Sequence, residues 1–269
     1  MPRPVLPPAN KRLGQHFLID LNIVRNIVAA AELTSDDTVL EIGPGRGILT
    51  EALSRAVRRV VAIEIDSELH SLLQARQADW KNVELIRADA LTHSFDIVPA
   101  GTIVVANLPY YISTPLLFKF LEHRRRFARL VLMLQNEVAD RLVAKAGTDD
   151  YGVLSVMAQY AAEITKAFKV SANCFRPRPD VGSAVVVVRP RTRPLLLPQE
   201  EPAFAALVKA AFAHRRKTLV NSLRDEGYEA PVVAEFAAAM GLVPTVRAET
   251  LTIEQLMELA GRVACRNRS

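Results

Sequence analysis

Apolar and polar positions follow two alternating periods through roughly the first 190 residues. Leu21, Val24, Ile27 and Val28 recur at helical spacing across residues 20–31. Short apolar runs then predict strands at Thr38–Gly43, Arg59–Glu64, Val83–Arg87, Thr102–Asn107 and Leu130–Leu134. Between them, helical spacing predicts Ile48–Ala56, Ser67–Gln77 and Pro115–His123. Asp66 or Ser67 is the expected N-cap of the second. Pro115 suits the first turn of the third. Helices at Val138–Lys145 and Val153–Ala161 precede a final strand pair, Ile164–Val170 and Ala184–Val188.

This alternation predicts an α/β fold: a mainly parallel sheet with helices on both faces. A Pro- and Arg-rich stretch, Arg189–Pro202, ends the pattern. The remainder is helical by period, with segments at Phe204–Ala213, Thr218–Asp225, Val232–Met240 and Ile253–Val263. The expected organisation is a flexible proline-rich arm at 1–10, a sheet domain at 11–190, a linker at 191–202 and a helical domain at 203–269.

Composition narrows the class. Half of the 269 residues are hydrophobic, which excludes a disordered, collagen-like or disulfide-stapled chain. No apolar run is long enough to span a membrane, and the N-terminus has no signal-peptide core. Cys174 and Cys265 match no zinc or redox spacing. The expectation is a soluble cytoplasmic protein, a monomer by default. The net charge of +5 decides little until its distribution is known.

Glu41-Ile-Gly-Pro-Gly-Arg-Gly47 joins the first strand of the sheet to the next helix. Glu64 ends the second strand, 21 residues past Gly43, where nucleotide-binding sheets carry an acid for ribose hydroxyls. A dinucleotide site needs Gly-x-Gly-x-x-Gly so that a pyrophosphate can rest on the helix N-terminus. Here the spacing is Gly-x-Gly-x-Gly, with Pro44 in the first gap. The expected ligand therefore lacks a pyrophosphate, which suits S-adenosyl-L-methionine and disfavours a nicotinamide dehydrogenase. Asp89 ends the third strand, where it either accepts from an adenine amine or caps a turn.

Asn107-Leu108-Pro109-Tyr110 closes the fourth strand, at the sheet edge where such folds bind ligands. These residue types suit methylation of an adenine amine. That amine is a poor nucleophile because its lone pair is delocalised, and it is too weak an acid for a general base. Accepting hydrogen bonds from both its hydrogens favours a pyramidal nitrogen. The Asn107 side-chain oxygen and the Leu108 carbonyl, held by Pro109, supply two acceptors. Tyr110 offers a face on which the base can stack. Transfer also quenches the sulfonium charge, so no metal is required, and positioning carries most of the rate.

With these motifs in order, the chain resembles the ribosomal RNA adenine dimethyltransferases that modify two adjacent adenosines near the 3′ end of small-subunit rRNA. The resemblance covers residues 11 to about 223. It rests on Lys11-Arg-Leu-Gly-Gln-His-Phe-Leu18, Leu40–Gly47, Ile63-Glu-Ile-Asp66, Asp89-Ala-Leu91, Asn107–Thr114, Phe175-Arg-Pro-Arg-Pro179 and Phe212–Leu219. It implies a Rossmann-like methyltransferase sheet whose last strand is antiparallel. It implies cofactor contacts at His16, Leu18, Gly43, Glu64, Asp89 and Asn107. The family usually has asparagine where this chain has His16, so either the main chain or the imidazole serves there. Phe175, in a loop stiffened by prolines, is expected to wall the target base opposite Tyr110. Tyr111 either packs in the core or lines the entrance.

Charge is segregated along the chain. Residues 123–136, 164–199 and 202–224 together hold sixteen basic residues and one acid; the rest holds eighteen basic and 28 acidic. Such clusters either neutralise RNA phosphates or lie on solvated faces. The RNA contacts expected from them are Arg124, Arg125, Arg176, Arg178, Arg215, Arg216 and Lys217, the last three opening a helix. The partner is then small-subunit rRNA, naked or in a pre-assembled particle. Two other roles compete: large-subunit rRNA methylation conferring macrolide resistance, and ribosome assembly mainly by binding.

Overall fold

The computed structural model describes residues 7–10 and 13–266, so most of the proline-rich arm, together with Lys11 and Arg12, lies outside the described residues. Nine strands and ten α-helices occur among the described residues. The strands are β1 (Phe17–Leu18), β2 (Thr38–Ile42), β3 (Arg59–Glu64), β4 (Val83–Arg87), β5 (Thr102–Asn107), β6 (Phe127–Gln135), β7 (Ala162–Val170), β8 (Phe175–Arg176) and β9 (Ser183–Pro190). The helices are α1 (Leu21–Ala30), α2 (Ile48–Ala56), α3 (Ser67–Ala75), α4 (Ser113–Glu122), α5 (Asn136–Val143), α6 (Val153–Ala161), α7 (Glu201–Ala211), α8 (Leu219–Asp225), α9 (Ala230–Ala239) and α10 (Ile253–Arg266).

Seven strands form one sheet in the order β4-β3-β2-β5-β6-β9-β7. The first five are parallel, and β9 runs antiparallel to both β6 and β7. The last strand is thus the reversed one, as expected. β2 is buried at every position and β3 at all but its first, because helices cover both faces. Edge strand β7 instead alternates exposed and covered positions, with Glu163 and Lys169 outward.

Local chemistry sets the helix starts. Asp20 caps α1 by accepting from the amides of Asn22 and Ile23, and Asp66 caps α3 through those of Glu68 and Leu69. α4 begins at Ser113, so Pro115 lies inside the first turn rather than opening it. Strand order reverses between β2 and β5, and the crevice beyond their C-terminal ends is the expected ligand site of such a sheet.

Two compact units emerge, and their boundary differs from the sequence expectation. One comprises residues 1–139 and 162–190; the other comprises 140–161 and 191–269. Residues 140–161, read as part of the sheet domain, belong with the C-terminal helices. The cause is aromatic packing: Tyr160 of α6 meets Phe204 of α7 at 4.9 Å between centroids, and its hydroxyl donates to Glu201. Tyr151 likewise meets Phe212 edge-on at 6.0 Å. The four predicted C-terminal helices are all present. No helix among the described residues is long and apolar enough to cross a membrane.

Candidate active site

A cleft opens at the C-terminal ends of β2, β3, β4 and β5. Its floor is the glycine loop. Gly43, Gly45 and Gly47 all have positive φ. At Gly47 this conformation starts α2, and a Cβ there would stand 2.8 Å from Leu73 and 2.9 Å from Trp80. At Gly45 a Cβ would press on the Phe17 ring at 3.2 Å.

Three acids line the cleft. Glu64 is buried; its two carboxylate oxygens accept from the amides of Gly45 (3.1 Å) and Asp66 (2.9 Å). Burial pushes its carboxyl above the ordinary range, against the pull of those amides. Glu41 is fully buried, and desolvation pushes it up to about 8. Its Oε2 has no hydrogen-bond partner among the described residues. Asp89 also lines the cleft, and its Oδ1 accepts from the Leu91 amide at 2.8 Å, capping a turn. Among the described residues, the permanent cation of the wall is Arg46, already engaged by the Pro7 carbonyl (2.8 Å) and the Phe17 ring (4.2 Å).

Asn107 ends β5, beside the glycine loop. Its Nδ2 donates to the His16 carbonyl at 3.3 Å, which fixes the amide and turns Oδ1 the other way. The Tyr110 hydroxyl bonds the Ser183 hydroxyl at 2.8 Å, pinning the ring. Leu108 is buried and Pro109 lines the cleft beside Gly43. Phe175 also lines it, but is only 1% exposed, packed in the core cluster with Leu18 and Val170. The ring stacked near Tyr110 is that of His16, at 5.6 Å and 29°. Tyr111 is 52% exposed at the entrance, against Gly14. This settles its location.

A strap, residues 13–18, crosses this region. β1 pairs antiparallel with β8, Phe17 opposite Arg176 and Leu18 opposite Phe175. Gln15 donates to Asp66 at 3.0 Å, joining the strap to the α3 cap. Pattern reading missed Glu41 as an individual site residue, and also Gln15, Arg46 and Phe17. Glu41 stood inside a recognised motif. Arg46 stood in the same motif, while Gln15 and Phe17 show only once a non-local strand pair brings them to the cleft.

The basic residues are less free than their spacing suggests. Arg126 pairs with Asp96, and both Arg129 and Arg189 pair with Glu32, acids drawn from outside the basic segments. Arg125, Arg176 and Arg178 are exposed, while Arg124 is half-buried. In the helical unit, Arg215 donates to the Asp149 carbonyl at 2.8 Å, Lys217 pairs with Asp225, and Arg216 is exposed. These three do not open a helix. They form the turn before Thr218, which caps α8.

The fold and cleft define a Rossmann-like methyltransferase: a carboxylate-lined pocket at the switch point, with Asn-Leu-Pro-Tyr at its edge. A family model described as ribosomal RNA adenine dimethylase matches residues 8–264. The chain belongs to the ribosomal RNA adenine dimethylase family. It is 45% identical over 261 residues to ribosomal RNA small subunit methyltransferase A of Moorella thermoacetica, covering 93% of this chain and 91% of that protein. The Levilactobacillus brevis protein of the same name is 44% identical, covering 93% and 88%. Among solved structures, a dimethyladenosine transferase from Plasmodium falciparum superimposes with a TM-score of 0.76 at 28% identity, covering 91% and 96%. The 23S rRNA methyltransferase ErmE does so with 0.73 at 29%, covering 92% and 99%.

Proposed function

We propose that this chain dimethylates the exocyclic amines of two adjacent adenosines near the 3′ end of small-subunit rRNA, using S-adenosylmethionine, as a step in small-subunit biogenesis. The observation that carries this reading is the fixed Asn107 amide, which leaves its oxygen available at the switch point beside Tyr110.

The cleft suits the cofactor. Three acids and an already engaged arginine make a wall rich in acceptors, matched to a cation bearing ribose hydroxyls and an adenine amine rather than to a pyrophosphate. When bound, S-adenosylmethionine supplies an electrophilic methyl group. Glu64 receives the ribose hydroxyls and Asp89 the adenine amine. Gly43, Leu18 and the His16 main chain complete the cofactor wall. Asn107 Oδ1 accepts one hydrogen of the target amine and the Leu108 carbonyl the other. Tyr110 stacks the base, with Phe175 behind the site. Arg124, Arg125, Arg176, Arg178, Arg215, Arg216 and Lys217 hold phosphates of the RNA. The protein works in the cytoplasm, as a monomer by default, on small-subunit rRNA, naked or in a pre-assembled particle.

The test is transfer of tritium from S-adenosylmethionine to undermethylated small subunits, followed by mapping of the modified sites. Two adjacent dimethyladenosines support the reading; label elsewhere, or none, rejects it. A second reading, large-subunit rRNA methylation, is favoured by the similarity to the 23S rRNA methyltransferase. The 41–45% identical relatives bearing the small-subunit name weigh against it. Macrolide resistance on expression would reverse the choice.

A further inference from the structure

His16 has two faces that do different things. Its main chain serves the Asn107 amide, whose Nδ2 donates to the His16 carbonyl at 3.3 Å. Its imidazole turns elsewhere. Nδ1 lies 2.8 Å from the Pro177 carbonyl. A carbonyl only accepts, so Nδ1 carries the proton, and in the neutral ring Nε2 is left as an acceptor. The ring plane lies 29° from that of Tyr110, with centroids 5.6 Å apart.

One ring partner, Tyr110, lines the cleft; the other, Pro177, lies two residues past Phe175, which also lines it. Tyr110 is the stacking face, pinned at its far end by Ser183. Pro177 follows the β8 strand that begins with Phe175. The cofactor-side acids bond elsewhere: Glu64 to the Gly45 and Asp66 amides, Asp89 to the Leu91 amide. The imidazole therefore ties the Tyr110 ring of the cleft to the segment that follows Phe175.

We propose that the His16 side chain is a positioning residue for the target base, setting the Tyr110 ring against the Pro177 segment, while only its main chain serves the cofactor side. The proposal rests on the adenosine-methylating function above. It divides the roles the family resemblance left joined at this position. It also gives each substitution a distinct meaning. Asparagine keeps an N–H donor for the Pro177 carbonyl and loses the ring. Phenylalanine keeps the ring and loses the donor. Alanine loses both.

The experiment compares His16→Ala, His16→Asn and His16→Phe with the parent protein in three measurements. These are S-adenosylhomocysteine affinity by titration calorimetry, single-turnover methylation of undermethylated small subunits at saturating cofactor, and thermal unfolding. The expected result is S-adenosylhomocysteine affinity within about twofold of the parent in all three variants. The single-turnover rate falls roughly ten- to a hundredfold in His16→Ala, the scale expected when a reacting group is misplaced. His16→Asn and His16→Phe fall between. If His16→Ala fails to fold, the other two carry the comparison. Loss of S-adenosylhomocysteine affinity in step with the rate would overturn the proposal, because the ring would then serve the cofactor. An unchanged rate in every variant that folds would overturn it too. A parent protein that binds S-adenosylhomocysteine but transfers nothing to small subunits would instead reject the function itself, and this proposal with it.

Discussion

Glu41 illustrates what a single buried group contributes. Its carboxyl is raised to about 8 in the folded protein, against 4.5 ordinarily. Between those values the folded chain keeps a proton that the unfolded chain releases, so this group's contribution to stability falls as pH rises and levels off above about 8. Glu41→Gln removes that dependence. Relative to the parent, its stability should improve progressively from pH 5 to pH 8 in thermal unfolding. A difference constant across that range would contradict the assignment. Asn107 is the complementary case, a group whose loss is read in rate. Asn107→Ala should lower the methylation rate by roughly 10²–10³-fold, the scale of losing one preorganised polar contact. Binding to undermethylated small subunits should persist in a filter assay; loss of both would make Asn107 an RNA-docking residue. All ten cofactor and target-base residues expected from the sequence line one cleft. They were legible because each ends a strand or belongs to a compact motif. The desolvation of Glu41 and the His16 stack were not, since both depend on neighbours distant in the chain.

Elements were legible where their own residues decide them. β3, β5 and β9 each contain an unbroken run of at least four apolar residues, and such runs have few alternatives to a buried strand. β1 and β8 are two residues each, too short for any period, and exist only because each has the other. The regrouping of 140–161 was also invisible, because an apolar helix does not reveal which neighbour covers it. The glycine loop permits a controlled test. Gly101 and Gly47 share a positive φ, at 86° and 80°. Around Gly101 nothing lies within 4 Å of an added Cβ, whereas at Gly47 Leu73 and Trp80 block it. Gly101→Ala should cost about 1–2 kcal/mol through backbone conformation alone. Gly47→Ala should add about 1–3 kcal/mol of overpacking to that. Urea unfolding measures both; equal costs would mean that the loop yields to the methyl group.

At the scale of the molecule, the contrast between basic and acidic segments is partly cancelled by folding. Arg126, Arg129 and Arg189 meet acids from the other segments, and Arg125, Arg178 and Arg216 remain exposed. RNA affinity should therefore drop steeply between low and physiological salt. Replacing Arg125 or Arg178 by alanine should reduce the log–log salt slope by about one each. Arg129→Ala should leave the slope unchanged, since Glu32 already neutralises that guanidinium. A slope altered equally by all three would mean that sequence clustering alone governs contact. The pairing of Phe17 with Arg176 has a further consequence, in time. Residues 13–18 leave the ribosome early in synthesis, but the partner strand that holds them emerges after most of the sheet. The β2–β6 layer can assemble from successive neighbours, whereas the cleft gains its far wall only when β8 appears. A growing chain that stops short of Phe175 can hold much of a sheet, yet it lacks the strand that pairs with residues 17–18 beside the cleft. An rRNA methyltransferase of this family thus completes its cleft only when about two-thirds of its chain has been made.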